Sequence, residues 1–290
     1  MQTRSALLLS LCACALSLST AAISRAAGAW PGAALLATQA VLTVAAFALP
    51  AWLGLCVLDG DQRRLLPMRA LSAPHILHLC LAGVLAVCPA TLLRDAMLAA
   101  AGVRGAAVGA APAGVSALFL PQLLKSALLV PVCEELFFRG YLMGALDRFG
   151  RGRAVFSCAL LFALAHGVAD VPALLTRVLL GMLFGAVTLK TGSLLAPMLV
   201  HGCYNLALLL IAFGGLAPLF SGLSLPSCAV RLLGCLAFYA ALARVYALRA
   251  SRAPLRFPAG LCLTRREIAY LAAAVLALLI AVILSGVMGP

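Results

Sequence analysis

Residues 115–144 read VSALFLPQLLKSALLVPVCEELFFRGYLMG and combine a long apolar run with two adjacent carboxylates. A run of this length is sufficient to cross a bilayer, which takes about 20 apolar residues in a helix. Glu134 and Glu135 lie inside the run, in a chain that has only eight acidic residues. An ionisable side chain within a membrane span is costly and by default marks a function. We therefore expect the rest of the chain to be organised around this pair.

The composition is that of an integral membrane protein. The 290 residues are 65% hydrophobic and 10% charged, with a mean hydropathy of +1.14. Soluble domains are about 45–50% apolar and about 25% charged. The net charge of +13 does not indicate a nucleic-acid partner, because the arginines lie in short loops between apolar spans. The eleven cysteines contain no CxxC pair and fall mostly within apolar runs, so they predict no disulfide framework.

The hydropathy pattern predicts an all-α, polytopic transmembrane helix bundle of about eight or nine spans. The nine apolar segments cover residues 6–23, 31–55, 75–93, 115–144, 154–166, 171–189, 193–213, 227–248 and 268–287. The fifth is short for a full crossing. The first is interpreted as an uncleaved anchor, with a cleaved signal peptide as the alternative. Three regions follow: N-terminal helices in 1–114, a core in 115–213 and C-terminal helices in 214–290.

The distribution of cations predicts the orientation. With an uncleaved first span and a cytoplasmic N-terminus, fourteen Lys and Arg residues lie on the cytoplasmic side and three on the opposite side. Such an excess is typical of cytoplasmic loops. We predict an integral protein of the cell (inner) membrane whose partner is the lipid bilayer.

Three polar clusters interrupt the predicted spans. They are Glu134-Glu135-x-x-x-Arg139, Phe162-x-x-x-His166 and His201-x-x-x-Asn205. A helical rise of 1.5 Å per residue places their polar groups roughly 12–18 Å from the cytoplasmic side. Their similar depth predicts one intramembrane site that is reached from the cytoplasm.

The two glutamates are expected to have different roles. Glu135 has Arg139 at i+4, in the order that favours an ion pair on a helix. Glu134 has Phe138 at that position, so we expect its partner on another helix. Pro131 removes a backbone hydrogen bond to the Ala127 carbonyl and favours an irregular helix. Because Glu135 has Arg139 as a local partner, Glu134 is the predicted general base.

Other polar side chains are given structural interpretations. His75 and His78 have a spacing that a metal could use, but their position favours an interfacial pair. A nucleophilic Cys133 is disfavoured, because apolar burial makes a thiol less reactive. Snorkelling or interhelical roles are predicted for the remaining cations within spans, Lys125, Arg177 and Arg231.

The three motifs, in this order on successive spans, resemble those of the CAAX-protease and bacteriocin-processing (CPBP) family of intramembrane proteases. The resemblance covers residues 115–213, the predicted CPBP-like core. It implies that Glu134 and His166 activate water, that His201 and Asn205 stabilise the oxyanion, and that Glu135, Arg139 and Phe162 support the site. It also leaves a zinc mechanism open, with Glu134, His166 and His201 as ligands. The metal-free version is favoured.

The resemblance implies hydrolysis of a peptide bond in a membrane-associated protein or peptide, with or without a lipid modification. The family name suggests a prenylated C-terminus, although a leader peptide is equally compatible with the sequence. Two other functions stay open. One is a non-catalytic membrane scaffold or bacteriocin-immunity protein, and the other is a proton-coupled transporter that uses the same ionisable groups as a relay.

Overall fold

The computed structural model describes residues 32–52, 66–103, 118–147, 150–166 and 170–248. These parts of the chain are helical and contain no strand. Five helices are long and apolar enough to cross a membrane: Gly32–Trp52, Ala73–Ala100, Val171–Thr191, Leu195–Phe213 and Leu225–Ala247. The predicted all-α transmembrane fold is confirmed. The predicted first and ninth spans lie outside the described residues.

The α-helices are numbered here in chain order. They are α1 Gly32–Thr43, α2 Ala73–Leu85, α3 Val87–Ala100, α4 Phe119–Leu123, α5 Val130–Glu135, α6 Met143–Leu146, α7 Arg151–Ala165, α8 Val171–Thr191, α9 Leu195–Phe213 and α10 Leu225–Ala247. Three stretches have π-helical hydrogen bonding: Val44–Ala48, Leu124–Leu129 and Leu136–Leu142.

The segment that carries the two glutamates is helical from α4 to α6 but changes its hydrogen-bond register along the way. Its four charged side chains, Lys125, Glu134, Glu135 and Arg139, make it less apolar than the five spanning helices. Both π-helical stretches in this segment lie next to α5. Such stretches are rare and are frequently found at functional sites.

The chain divides into two compact units. Of the described residues, the first contains those within 32–69 and 132–194, and the second contains those within 70–131 and 195–248. The units alternate along the sequence, whereas the three regions predicted from the sequence are consecutive. The three-region division stays a prediction.

In the first unit, α7 packs against α8 through small residues. A Cβ atom added to Gly181 would lie 2.8 Å from the Cα of Ala159, and one added to Gly185 would lie 2.8 Å from a γ-carbon of Val155. Gly181 thus faces Ala159 and Gly185 faces Val155, so the two helices run antiparallel at this contact. Glycines at this spacing let membrane helices approach closely.

In the second unit, α9 and α10 both pack on the helix pair α2–α3. A buried cluster joins Val87 of α3 to Ala207 and Ile211 of α9. A buried ion pair joins α3 to α10, where Arg231 Nη1 donates to Asp95 Oδ2 at 2.8 Å. Arg231 also donates to the Gly222 carbonyl. Arg231, predicted as a snorkelling or interhelical cation, is therefore an interhelical one.

Candidate active site

The ion pair predicted between Glu135 and Arg139 is present in the first unit. Arg139 Nη1 donates to Glu135 Oε1 at 3.0 Å, and neither side chain is exposed. Arg139 Nη2 donates to the carbonyl of Gly181 at 2.9 Å. The guanidinium therefore joins the segment after α5 to the middle of α8.

Aromatic rings surround the same guanidinium. Its central carbon lies 4.7 Å from the ring centre of Phe162, 5.2 Å from that of Phe184 and 5.7 Å from that of Phe138. The negative faces of aromatic rings attract a cation, most strongly where water is excluded. The rings and Glu135 together compensate the charge of a fully buried Arg139.

Phe162 also contacts His166, at the end of α7. The two ring centres are 4.6 Å apart. The Nδ1 atom of His166 lies 2.7 Å from the carbonyl oxygen of Phe162. Because a carbonyl oxygen only accepts hydrogen bonds, Nδ1 must carry the proton of this bond. In the neutral ring, Nε2 is then the atom with the lone pair.

The Nε2 atom of His166 faces Glu134. It lies 3.9 Å from Glu134 Oε2, where the Glu134 side chain is 7% exposed and that of His166 27%. This distance is too long for a direct hydrogen bond, and a water that bonds to both groups is a common way to bridge such a gap. A carboxylate and an imidazole so arranged can orient a water molecule and exchange a proton with it.

The structure places His201 and Asn205 in the second unit, on α9. His201 is buried, with 4% of its surface exposed. Asn205 Nδ2 donates to the carbonyl oxygen of Ser126 at 2.8 Å. A side-chain amide has two N–H groups, so this bond uses one of the two donors of Asn205.

The Ser126 carbonyl is available to Asn205 because of the local helix register. In the stretch Leu124–Leu129 the bonds run from residue i to i−5, and the N–H of Val130 accordingly donates to Lys125. The next donor in that register would be residue 131, which is proline and has no N–H. In this register, Ser126 lacks the backbone donor that residue 131 would otherwise supply. The sequence prediction concerned Ala127, the partner of residue 131 in a regular α-helix.

The remaining candidates have local partners or are buried. The Ser72 hydroxyl lies 2.7 Å from Nδ1 of His75, and the Pro74 carbonyl lies 2.7 Å from Nδ1 of His78. The Cys133 side chain is 3% exposed. In the described part of the chain, no group of three His, Cys, Asp or Glu side chains is arranged to hold a metal ion. The zinc set given as an alternative, Glu134, His166 and His201, stays a prediction.

The comparisons with known proteins single out the segment that contains these motifs. Residues 116–207 match the family described as type II CAAX prenyl endopeptidase Rce1-like. This confirms the resemblance to the CPBP family of intramembrane proteases. No curated protein and no solved structure shows significant similarity to the chain.

The Rce1-like segment begins just before α4 and ends within α9, so it includes every residue of the three motifs. The similarity supports endopeptidase activity in general terms. The roles of individual residues in the Rce1-like segment stay predictions.

Several contacts around the motifs were not expected from the sequence. Phe184 and Gly181 hold Arg139 from α8, and Ser126 holds Asn205. Gly181-x-x-x-Gly185 carried a usable signal, since small residues at this spacing are typical of close helix contacts. The sequence gives no signal for the roles of the Gly181 and Ser126 carbonyls, because every residue has a backbone carbonyl.

Proposed function

We propose that this protein is an intramembrane endopeptidase in which Glu134 and His166 activate the attacking water. The observation that carries the proposal is the 3.9 Å separation between Glu134 Oε2 and His166 Nε2. The bond from Nδ1 to the Phe162 carbonyl fixes which ring nitrogen faces the carboxylate. The match of residues 116–207 to an endopeptidase family supports the same chemistry.

The proposed reaction is a two-step hydrolysis. Glu134 takes a proton from water while the water oxygen attacks the carbonyl carbon of the scissile peptide bond. The C–N bond of the tetrahedral intermediate then breaks, and Glu134 returns the proton to the leaving amine. Nε2 of His166 accepts a hydrogen bond from the water and orients it, so that a lone pair of the water oxygen points at the carbonyl carbon. Positioned acid–base catalysis of this kind typically contributes about 10²–10⁴-fold.

His201 and Asn205 are proposed to stabilise the negative oxygen of the intermediate by donating hydrogen bonds. The resemblance to the CPBP family suggests this role. The amide group of Asn205 retains a second N–H donor beside the bond to Ser126. Removing one donor of this kind from an enzyme costs about 10²–10³-fold in turnover.

The proposed substrate is a membrane-associated peptide or protein with a lipid-modified C-terminus. The family name, which contains the words CAAX prenyl endopeptidase, supports it. Integral membrane spans are consistent with a lipidated substrate, because its anchor and the enzyme share one bilayer. The cell (inner) membrane and a cytoplasmic N-terminus remain part of the proposal.

Comparative analysis of peptide termini in membranes tests the activity. Termini should appear with the wild-type protein and be absent with Glu134→Gln, which keeps the shape of the side chain but cannot take up a proton. Asp147→Asn is the matched control, since Asp147 is an acid at the end of the same helical segment, and it should leave the termini unchanged. Identical termini with Glu134→Gln and with wild type would refute the proposed mechanism.

The same variant separates the two rival functions. A scaffold or immunity protein would retain its full biological effect as Glu134→Gln. A proton-coupled transporter would show solute or proton flux in liposomes that this change abolishes.

The proposed activation of water uses no metal. Metal analysis of the purified protein, together with activity after chelation, distinguishes this mechanism from the zinc alternative. Activity that persists in metal-free protein supports the glutamate mechanism. Activity that is lost on chelation and restored by zinc would replace it.

A further inference from the structure

Two cysteine thiols meet between helices of the second unit. Cys80 lies on α2 and Cys203 on α9, and their thiol groups are hydrogen-bonded to one another. Both are free cysteines whose side chains are partly exposed. The side chain of Cys133, by contrast, is 3% exposed. Cys80 and Cys203 are therefore a pair of accessible thiols that the proposed hydrolysis does not use.

A glycine brings the two helices close together beside this pair. A Cβ atom added to Gly83 would lie 2.7 Å from the Cβ of Cys203 and 3.0 Å from the Cα of Val200. The backbone of α2 therefore touches α9 at this level, with no side chain of α2 in between. Gly83 follows Cys80 by three residues, so the two lie on the same face of α2. Close backbones are a requirement for a disulfide, whose Cα atoms are about 4.4–6.8 Å apart.

Cys203 lies on the opposite side of α9 from the proposed oxyanion donors. At about 100° per residue, His201 and Asn205 are about 40° apart, and Cys203 is about 160° from each. Asn205 donates to the Ser126 carbonyl at 2.8 Å. Helix α9 thus packs against α2 on one side and against the segment that contains Ser126 on the other. A bond formed at Cys203 acts on the helix turn that carries both donors.

We propose that Cys80 and Cys203 are a modification site, at which a hydroperoxide dissolved in the bilayer converts the two thiols into an intramolecular disulfide and thereby slows turnover. The formation of the disulfide is independent of the proposed function, whereas the effect on turnover rests on it. Apolar hydroperoxides partition into the bilayer, where α2 and α9 lie.

The reaction oxidises two sulfur atoms and reduces one peroxide. The sulfur of one thiol attacks an oxygen of the O–O bond, and the products are a sulfenic acid and an alcohol, which takes the proton of that thiol. The sulfur of the second thiol then attacks the sulfenic sulfur. The S–S bond forms, and the OH group leaves as water with the proton of the second thiol. A second thiol in hydrogen-bonding contact favours this step over further oxidation of the sulfenic acid.

Formation of the S–S bond shifts the turn that carries the donors. The two sulfur atoms have to approach from a hydrogen-bonding contact to about 2.05 Å. The backbones at Gly83 and Val200 are already in contact, so the helices cannot move closer there. Rotation of the side chains and a small rotation of α9 close the gap instead. A misplacement of about 1 Å in a catalytic site costs about 10²-fold in rate.

The test uses the full-length protein in phosphatidylcholine vesicles, with cumene hydroperoxide as the oxidant and dithiothreitol as the reductant. Wild type, Cys80→Ser and Cys203→Ser are compared with Cys235→Ser. Cys235 is the matched control, because it is a partly exposed cysteine on another helix of the same unit, α10. Mass analysis of peptides prepared without reduction identifies the disulfide, and cleavage of a farnesylated CAAX peptide measures turnover.

Oxidation of wild type and of Cys235→Ser should give a cross-linked peptide that joins Cys80 to Cys203. It should lower kcat by about 10- to 100-fold in both proteins, and dithiothreitol should reverse both effects. Cys80→Ser and Cys203→Ser should keep the turnover of reduced wild type and lose the reversible response to the oxidant.

Three results would overturn the inference: no bond between Cys80 and Cys203 in oxidised wild type, a bond that joins two copies of the chain, or a bond that forms and leaves kcat unchanged. An equal and reversible loss of kcat in Cys80→Ser would also overturn it, because the oxidant would then act elsewhere. If reduced wild type cuts no peptide, the effect on turnover fails together with the proposed function. The mass analysis still decides whether the disulfide forms.

Discussion

His166 Nε2 lies 3.9 Å from Glu134 Oε2, while the other nitrogen of the same ring is bonded to the Phe162 carbonyl at 2.7 Å. The two ring nitrogens therefore have separate functions. Nδ1 fixes the orientation of the imidazole on its own helix, and Nε2 faces the carboxylate. Phe162 supplies both the carbonyl and a tilted ring that packs against the imidazole, so two of its groups position His166.

Substitutions of His166 should separate these two functions. His166→Asn keeps an amide that can donate to the Phe162 carbonyl, but it has no atom at the position of Nε2. We expect turnover to fall by about 10²-fold or more, while the thermal unfolding midpoint stays near that of wild type. Steady-state kinetics and unfolding in detergent measure the two quantities. Normal turnover of His166→Asn would show that Nε2 does not act in the reaction.

The buried pair of Glu135 and Arg139 predicts a large and non-additive effect on stability. Glu135→Gln or Arg139→Met alone leaves one uncompensated charge among apolar side chains, which costs about 3–5 kcal/mol of unfolding free energy. The double variant removes both charges and should recover most of that loss. Unfolding of all four proteins gives the coupling energy. Single variants as stable as wild type would contradict the role assigned to this pair.

This ion pair was predictable from the sequence, since its two members are four residues apart on one helix. The membrane spans were predictable for a similar reason, because hydropathy depends on composition along a short window. The predicted segment 193–213, for example, differs by two residues at its start from α9, Leu195–Phe213.

Contacts between distant segments were harder to predict from the sequence. The sequence marked Arg231 as a cation within a span but did not identify its partner Asp95, which is 136 residues away. Likewise, proline at position 131 removes the donor of the Ala127 carbonyl in a helix with i−4 bonding, but that of the Ser126 carbonyl in one with i−5 bonding. Nothing in the local sequence indicates which of the two registers the helix adopts.

The contact between α7 and α8 gives a prediction about packing. Gly181→Ala would place a methyl group 2.8 Å from Ala159 Cα, which is backbone and cannot move aside alone. We expect a loss of about 1–3 kcal/mol in unfolding free energy. Activity should also fall, since the Gly181 carbonyl holds Arg139.

Gly152→Ala is the matched control for this change. Gly152 lies on α7, and a Cβ added there meets no atom within 4 Å. Because alanine is the better helix former, this variant should be as stable as wild type or more stable, by up to about 1 kcal/mol. Equal effects of the two substitutions would mean that helix propensity, rather than the contact with Ala159, determines the outcome.

The last prediction separates the structural role of Asn205 from its proposed catalytic role. Asn205→Ala leaves the Ser126 carbonyl without its donor, at a cost of about 1–2 kcal/mol in unfolding free energy. Pro131→Ala supplies a backbone N–H in the register that reaches this carbonyl. In the Pro131→Ala background, Asn205→Ala should therefore cost clearly less, and a double-mutant cycle measures the difference.

Turnover should behave differently in the same four proteins. If Asn205 also stabilises the oxyanion, Asn205→Ala lowers kcat by about 10²–10³-fold in both backgrounds, because the new N–H at residue 131 replaces only the bond to Ser126. Recovery of both stability and kcat in the double variant would show that Asn205 acts only by holding Ser126. Equal stability costs in the two backgrounds would show that the carbonyl of Ser126 does not depend on the register set at Pro131.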